Sequence, residues 1–306
     1  MSVAVSAIVD EVWGNCVKMT NGLVELLVTV DFGPRVIKAN LVGKENMFYE
    51  DIAKTPLGDK LDVFEGQTAC YGGHRLWISP EILPRCYYPD NYPVTWKQED
   101  EHTVIFEAPV EKINNIQKSI RISMIDEEPA AQLEHIVKNV GMWEIEFAHW
   151  CITMTVAGGK EIIPMPKNKA GLLPNRVIAL WDYGDMNDER VYWGKDYITV
   201  TNIPGKSNPF KLGLNNEAGW GAVFNNGQLF IKYFDPTDGF YPDNGCTYET
   251  YTNGVMTECE TLSQVWQLEP GEEESFFEEW EFYAENEVPS NDEAEISRIM
   301  NKYLGE

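Results

Sequence analysis

Basic residues are scarce in this chain. Its 306 residues include 24 Lys and Arg, only seven of them Arg, against 49 Asp and Glu, for a formal charge of −25. Neutralising phosphates takes a basic face, and no Lys/Arg cluster occurs, so the composition argues against a nucleic-acid partner. Docking on anionic lipid is disfavoured for the same reason, and the acidity suits a ligand that is neutral or cationic. No apolar run is long enough for a membrane span. The opening residues, Met1 to Ile8, lack a basic front and run into Asp10 and Glu11, so neither a leader nor a membrane anchor is expected. Cysteine is sparse and dispersed, at positions 16, 70, 86, 151, 246 and 259, without a C-x-x-C. That pattern predicts reduced thiols in a cytoplasmic protein rather than a disulfide framework. Four histidines, at 74, 102, 135 and 149, form no H-x-x-x-H pair and no Cys/His knuckle, so no metal site is expected. The phosphate loop, the dinucleotide fingerprint, the G-x-S-x-G elbow and H-E-x-x-H are all missing, and no cofactor is expected.

What is present is apolar and aromatic. Hydrophobic residues make up 43% and aromatics 12%, with ten Trp, enough for a packed core and incompatible with global disorder. Strand signals dominate. Leu23 to Val30 and Arg35 to Leu41 flank Asp31-Phe32-Gly33-Pro34, and Asn225-Asn226-Gly227 between two apolar runs marks a tight hairpin. Helical spacing is convincing only at the C-terminus, where Ile296, Ile299, Met300, Tyr303 and Leu304 follow a cap at Ser290 or Asn291. The expected fold is all-β, a large antiparallel sandwich, as one domain over 1–306 with residues 288–306 a helical appendage. The segment Glu269 to Glu287 holds nine acids and no Lys or Arg, and reads as a strand with one wet acidic face.

Three stretches are dense in residues that carry chemistry. In Tyr71-Gly72-Gly73-His74-Arg75-Leu76-Trp77-Ile78-Ser79-Pro80-Glu81, paired glycines permit a tight turn. A ring beside Arg, His and Glu suits a sugar, whose apolar face covers an aromatic while its hydroxyls bond polar groups. A Gly-rich turn leading into a strand, with Trp77 in the core and Arg75 paired to Glu81, accounts for the same residues. In Glu146 to Thr153, alternation sets Phe147, His149, Cys151 and Thr153 on one face and Ala148, Trp150 and Ile152 on the other. His149 is a proton-transfer candidate or a hydrogen-bonded core histidine. The third stretch is Glu249 to Gln264, above all Thr257-Glu258-Cys259-Glu260-Thr261, where the two glutamates share a face and raise each other's pKa. They form either an acid/base pair or a solvated acidic strand.

In order along residues 15 to 284, these stretches resemble the galactose mutarotase-like (aldose 1-epimerase-related) proteins, in particular bacterial members carrying G-G-H-R-L-W-x-x-P-E. Gly72 to Glu81, Asn139 with His149 ten residues later, and Ala157-Gly158-Gly159 carry the first half. Leu173-Pro174-Asn175-Arg176, Trp181, Asp188, Arg190, Tyr241-Pro242-Asp243, Glu258/Glu260 and Leu268 to Glu272 carry the second. The resemblance implies a β-supersandwich that interconverts sugar anomers, a glutamate taking the anomeric proton while a histidine protonates the ring oxygen. It implies His149 and Glu260 as the catalytic pair, with Glu258 the alternative base, and His74 and Arg75 as sugar-binding residues; the chemistry of Trp77 and Glu258 adds them as further sugar-binding candidates. Around the candidate histidine, Ala148-His149-Trp150-Cys151 replaces the family's usual N-H-x-Y-F-N-L.

The expectation is therefore an aldose 1-epimerase-like isomerase acting on an unphosphorylated sugar, its partner a small-molecule carbohydrate, as a monomer or homodimer. A non-catalytic carbohydrate-binding protein on the same fold is the alternative. A glycoside-cleaving enzyme using Glu81 and Glu260 is a third.

Overall fold

The computed structural model describes residues 2–58 and 60–305. Two antiparallel sheets dominate. The first runs Ala4–Asp10, Gly14–Thr20, Val24–Thr29, Val36–Leu41, His74–Ser79, Ile145–Val156, Met256–Leu262, Tyr248–Thr252, Phe210–Leu214 and Ile178–Leu180, with Trp266–Leu268 added beside Ile145–Val156. The second runs Val191–Trp193, Tyr197–Thr201, Lys160–Pro164, Trp220–Asn225, Gln228–Phe234, Glu273–Ala284, Ala130–Asn139, Ile116–Met124, Thr103–Glu107 and Thr95–Gln98. The inner faces of both sheets share one apolar core. Trp280 of the second sheet meets His74 of the first, and Phe48 from the segment after Val36–Leu41, edge to face, with centroids 4.7 and 5.3 Å away.

Local signals explain the elements. Asn226 and Gly227 both take positive φ, 51° and 67°, and join Trp220–Asn225 to Gln228–Phe234 with Asn225 opposite Gln228. A two-residue turn with both residues left-handed matches the strand twist. The C-terminal helix spans Glu293–Leu304 and buries Ile296, Ile299 and Met300. Its cap is Asp292, one or two residues after the positions expected, with the Asp292 side chain accepting from the Glu295 amide at 2.9 Å. Ser290 instead bonds the Glu295 carboxylate. This helix covers a second apolar cluster with Tyr197, Trp220 and Leu229. All six cysteines are free and buried. Among the described residues no helix is long and apolar enough to cross a membrane.

The acidic strand does turn Glu273, Glu279 and Glu281 outward, but two of its residues depart from the expected wet face. In Glu273–Ala284 it is Phe276, Glu278, Trp280 and Phe282 that point inward, while Phe277 is exposed. Glu278 is buried against Lys232 at 2.9 Å and accepts from Trp280 Nε1 at 2.9 Å and from the Thr261 hydroxyl. A buried carboxylate is tolerated only with this much compensation.

Candidate functional site

Strand register builds the site. Cross-strand partners share a face, and on the outer face of the first sheet they form three rows. Arg75, Ile152, Glu260 and Glu249 stand opposite one another in the first row, and Trp77, Trp150 and Leu262 in the second. Met154, Glu258, Tyr251 and Lys211 make the third. Over these rows lies a cleft of about 520 Å³, also lined by Tyr49, Asp51, Tyr87, Trp181 and Tyr183. That volume falls in the range of small-molecule sites.

Aromatic rings make its walls. Trp77 meets Trp150 and Tyr87 edge to face, at 5.5 and 5.1 Å. Lys211 Nζ lies 4.7 Å from the ring of Trp150 and 4.6 Å from that of Trp181. The Arg75 guanidinium stacks on Trp77 at 3.7 Å. Glu81 is exposed and accepts from the Tyr87 hydroxyl, so the alternative that paired it with Arg75 does not hold.

Charge is organised around Lys211. Its ammonium sits 2.8 Å from both Glu249 and Glu260, and Glu260 also accepts from Trp150 Nε1 at 2.6 Å. Burial pulls the Lys211 pKa down, but the carboxylates of Glu260 and Glu249 more than offset it, so the net shift is well upward and Lys211 stays charged. Burial pushes the Glu249 carboxyl well above the usual carboxylate range, against the pull of Lys211. Glu258, half-buried in the cleft wall, is pushed up to about 8, chiefly by burial and next by Glu260, against the pull of Arg75 and Lys211.

The sequence-predicted residues divide between two faces. Arg75, Trp77, Glu258 and Glu260 come together on the cleft side. His149 and His74 do not join them, and the expected meeting of His149 with Glu260 across a hollow is not found. Residues of the opposite parity face the second sheet, so His149 is enclosed in the core. Its ring stacks near Phe276 at 6.1 Å, Nδ1 lies 3.2 Å from Ser263 Oγ, and Nε2 donates to the Glu274 carbonyl at 3.0 Å. Burial, with a smaller effect of His135, lowers its pKa to about 3. The hydrogen-bonded core histidine, the alternative left open by the sequence, describes it.

His74 is likewise interior. His135 Nδ1 donates to the Phe276 carbonyl, which leaves its Nε2 to accept from His74 Nε2 at 2.7 Å. The Thr153 hydroxyl then donates to His74 Nδ1 at 2.8 Å and accepts from Lys232. His74, His135 and Glu278 lie close enough to share an ion. The ammonium of Lys232, bonded to Glu278, already supplies the cation of this cluster.

Sequence reasoning missed Lys211 and Tyr183, and gave no role to Glu249 and Tyr251 within the Glu249 to Gln264 stretch. Lys211 had a usable signal, a lone cation inside the apolar run Phe210-Lys211-Leu212. Tyr183 had none, because it comes from an irregular segment that the fold brings to the cleft.

No protein-family model matches the sequence, and no curated protein matches it either. Solved structures do match in shape. A galactose mutarotase-like protein from Clostridium acetobutylicum superposes with a TM-score of 0.55 at 10% identity, covering 92% of this chain and 99% of the other. A galactose mutarotase-like protein from Lactobacillus casei gives 0.54 at 10% identity, covering 88% and 100%. A TPR-domain containing protein from Parabacteroides distasonis gives 0.61 at 12% identity over 90% of this chain, which spans about half (49%) of that longer protein. With two antiparallel sheets, a cleft on the outer face of one and near-complete overlap with the two galactose mutarotase-like structures, the chain has the galactose mutarotase-like fold.

Proposed function

We propose that this protein is a carbohydrate-binding protein whose ligand is a small, unphosphorylated sugar seated in the cleft over Arg75, Trp77, Trp150 and Glu258. The observation that carries this reading is a concave sheet face on which three tryptophans stand beside a guanidinium without an ion pair among the described residues and a carboxyl whose pKa is pushed up to about 8. Rings cover the apolar face of a pyranose, and the polar groups bond its hydroxyls. The likeness to galactose mutarotase-like proteins supports the same ligand class.

A second reading, sugar anomer interconversion, is favoured by Glu258 alone. A carboxyl with a pKa near 8 carries a proton at neutral pH and exchanges it readily, as a general acid/base must. The His149–Glu260 route has no support, since His149 has no access to the cleft and Glu260 is committed to Lys211 and Trp150. The same commitment disfavours glycoside cleavage by Glu81 and Glu260.

Titration calorimetry against a panel of aldoses and disaccharides tests the first reading, with Trp77→Ala expected to weaken binding at least tenfold. Polarimetry on the sugars that bind tests the second. Catalysed mutarotation that disappears in Glu258→Gln establishes an enzyme, and binding without catalysis establishes a binding protein. A wild-type protein that binds no sugar on the panel refutes both.

A further inference from the structure

The side chain that the cleft leaves least compensated is Arg75. It is 4% exposed, its guanidinium is pressed on Trp77, and among the described residues its Nε and Nη1 donate to nothing. The other buried arginines are matched: Arg35 bonds Asp90 at 2.8 Å and Arg190 bonds Asp188 at 2.7 Å. The other cation of the cleft, Lys211, is held between two carboxyls. A buried charge without a counter-ion is costly, and a guanidinium fork matches a carboxylate in shape as well as charge.

Resting on the carbohydrate reading above, we propose that the ligand is an acidic sugar, a uronate or aldonate, whose single carboxylate pairs with Arg75 while its ring lies along Trp77 and Trp150. The stoichiometry argues for a carboxylate over a phosphate. One unpaired positive charge balances a monoanion, and a phosphate dianion would leave one negative charge uncompensated in the cleft that Glu81 also lines. The −25 net charge does not forbid it. Surface charges are screened within about 10 Å at ordinary salt, whereas a desolvated guanidinium at short range is not.

Glu258 supplies an independent readout. Arg75 and Lys211, each from the strand two places away on either side, Glu260 on its own strand, Tyr251, Glu81 and Cys70 surround it. Protonated, Glu258 leaves Arg75 free for an anion. Ionised, it competes for Arg75 and repels the ligand. Affinity for an acidic sugar therefore falls as pH rises through about 8, where Glu258 titrates, and affinity for a neutral sugar does not fall with it.

The test is calorimetry with matched ligands: D-glucuronate against D-glucose, D-galacturonate against D-galactose, and D-glucose 6-phosphate. The expected result is at least tenfold tighter binding of a uronate than of its parent aldose. Arg75→Gln should abolish that preference, Arg75→Lys should retain part of it, and Glu258→Gln should flatten the pH dependence. Equal affinity for uronate and aldose overturns the inference and leaves the carbohydrate reading standing. It would mean that Asp90, whose Oδ1 also lacks a partner and lines a 30 Å³ hollow with Arg75, suffices to balance the charge. A preference for the phosphorylated sugar overturns it as well. Failure of every sugar to bind removes the carbohydrate reading itself.

Discussion

His149 and Trp150 are neighbours in the chain and face opposite sides of a sheet. Trp150 bonds Glu260 beside the cleft, while His149 bonds Ser263 and the Glu274 backbone in the core. His149→Gln is therefore expected to leave sugar affinity unchanged and to lower stability by about 1–3 kcal/mol through lost buried hydrogen bonds. Its pKa falls from 6.5 in the unfolded chain to about 3 when folded, so the folded state holds it neutral. A depressed folded pKa contributes stability above the unfolded value that is lost as pH falls through the folded one. The melting-temperature gap between wild type and His149→Gln should thus shrink as pH drops from about 7 to about 4. A gap that widens on acidification, or a loss of sugar binding in the variant, contradicts this assignment.

The element that delivers Arg75 and Trp77 to the cleft begins at a glycine pair. Gly73 has φ +70°, and a Cβ there would stand 2.5 Å from the Val36 carbonyl oxygen, a backbone atom that cannot yield. Its amide donates to the Tyr49 carbonyl and its carbonyl accepts from the Met154 amide, at 2.8 and 2.9 Å, pinning the start of His74–Ser79 between neighbouring segments. Gly73→Ala should cost about 1–3 kcal/mol from strained backbone and steric conflict, read as a lower denaturant midpoint, and should weaken sugar binding because Arg75 is two residues on. An unchanged midpoint would show that the turn relaxes freely. The glycine pair was legible in the sequence as a tight turn, as were the Asn226-Gly227 hairpin and the C-terminal helix. The helix cap was less so. Ser290, Asn291 and Asp292 are all good capping residues, and only backbone geometry chooses among them.

Across the whole molecule, 49 acids against 24 bases set a field that opposes compaction. Added salt screens this repulsion but barely touches the buried pairs of Lys211 and Lys232. Raising sodium chloride from low to moderate concentration should therefore raise the melting temperature by roughly 1–2 °C, the shift that about 1 kcal/mol produces in a chain of this length. A flat or falling curve in differential scanning calorimetry would mean that the surface charges are already compensated locally. Composition and period carried the large-scale reading. Alternating β-rich runs with almost no helical spacing specify an antiparallel sandwich, because each strand must bury one face. The same alternation correctly grouped His149 with Phe147 and Cys151, apart from Trp150 and Ile152. It does not tell which group meets the second sheet and which meets the cleft: the wholly apolar group, with Trp150 and Ile152, lines the cleft, and the group holding His149 and Thr153 is enclosed. Strand order is equally silent in one dimension: Lys211, Glu249 and Glu260 become neighbours only through pairings spanning up to 49 residues. Local pattern, set by steric preference and hydrophobic period, determined the kind of structure this chain forms. The tertiary pairing of distant strands decided which side of each strand faces the ligand, and with that took His149 out of the site and put Arg75, Lys211 and Glu258 into it.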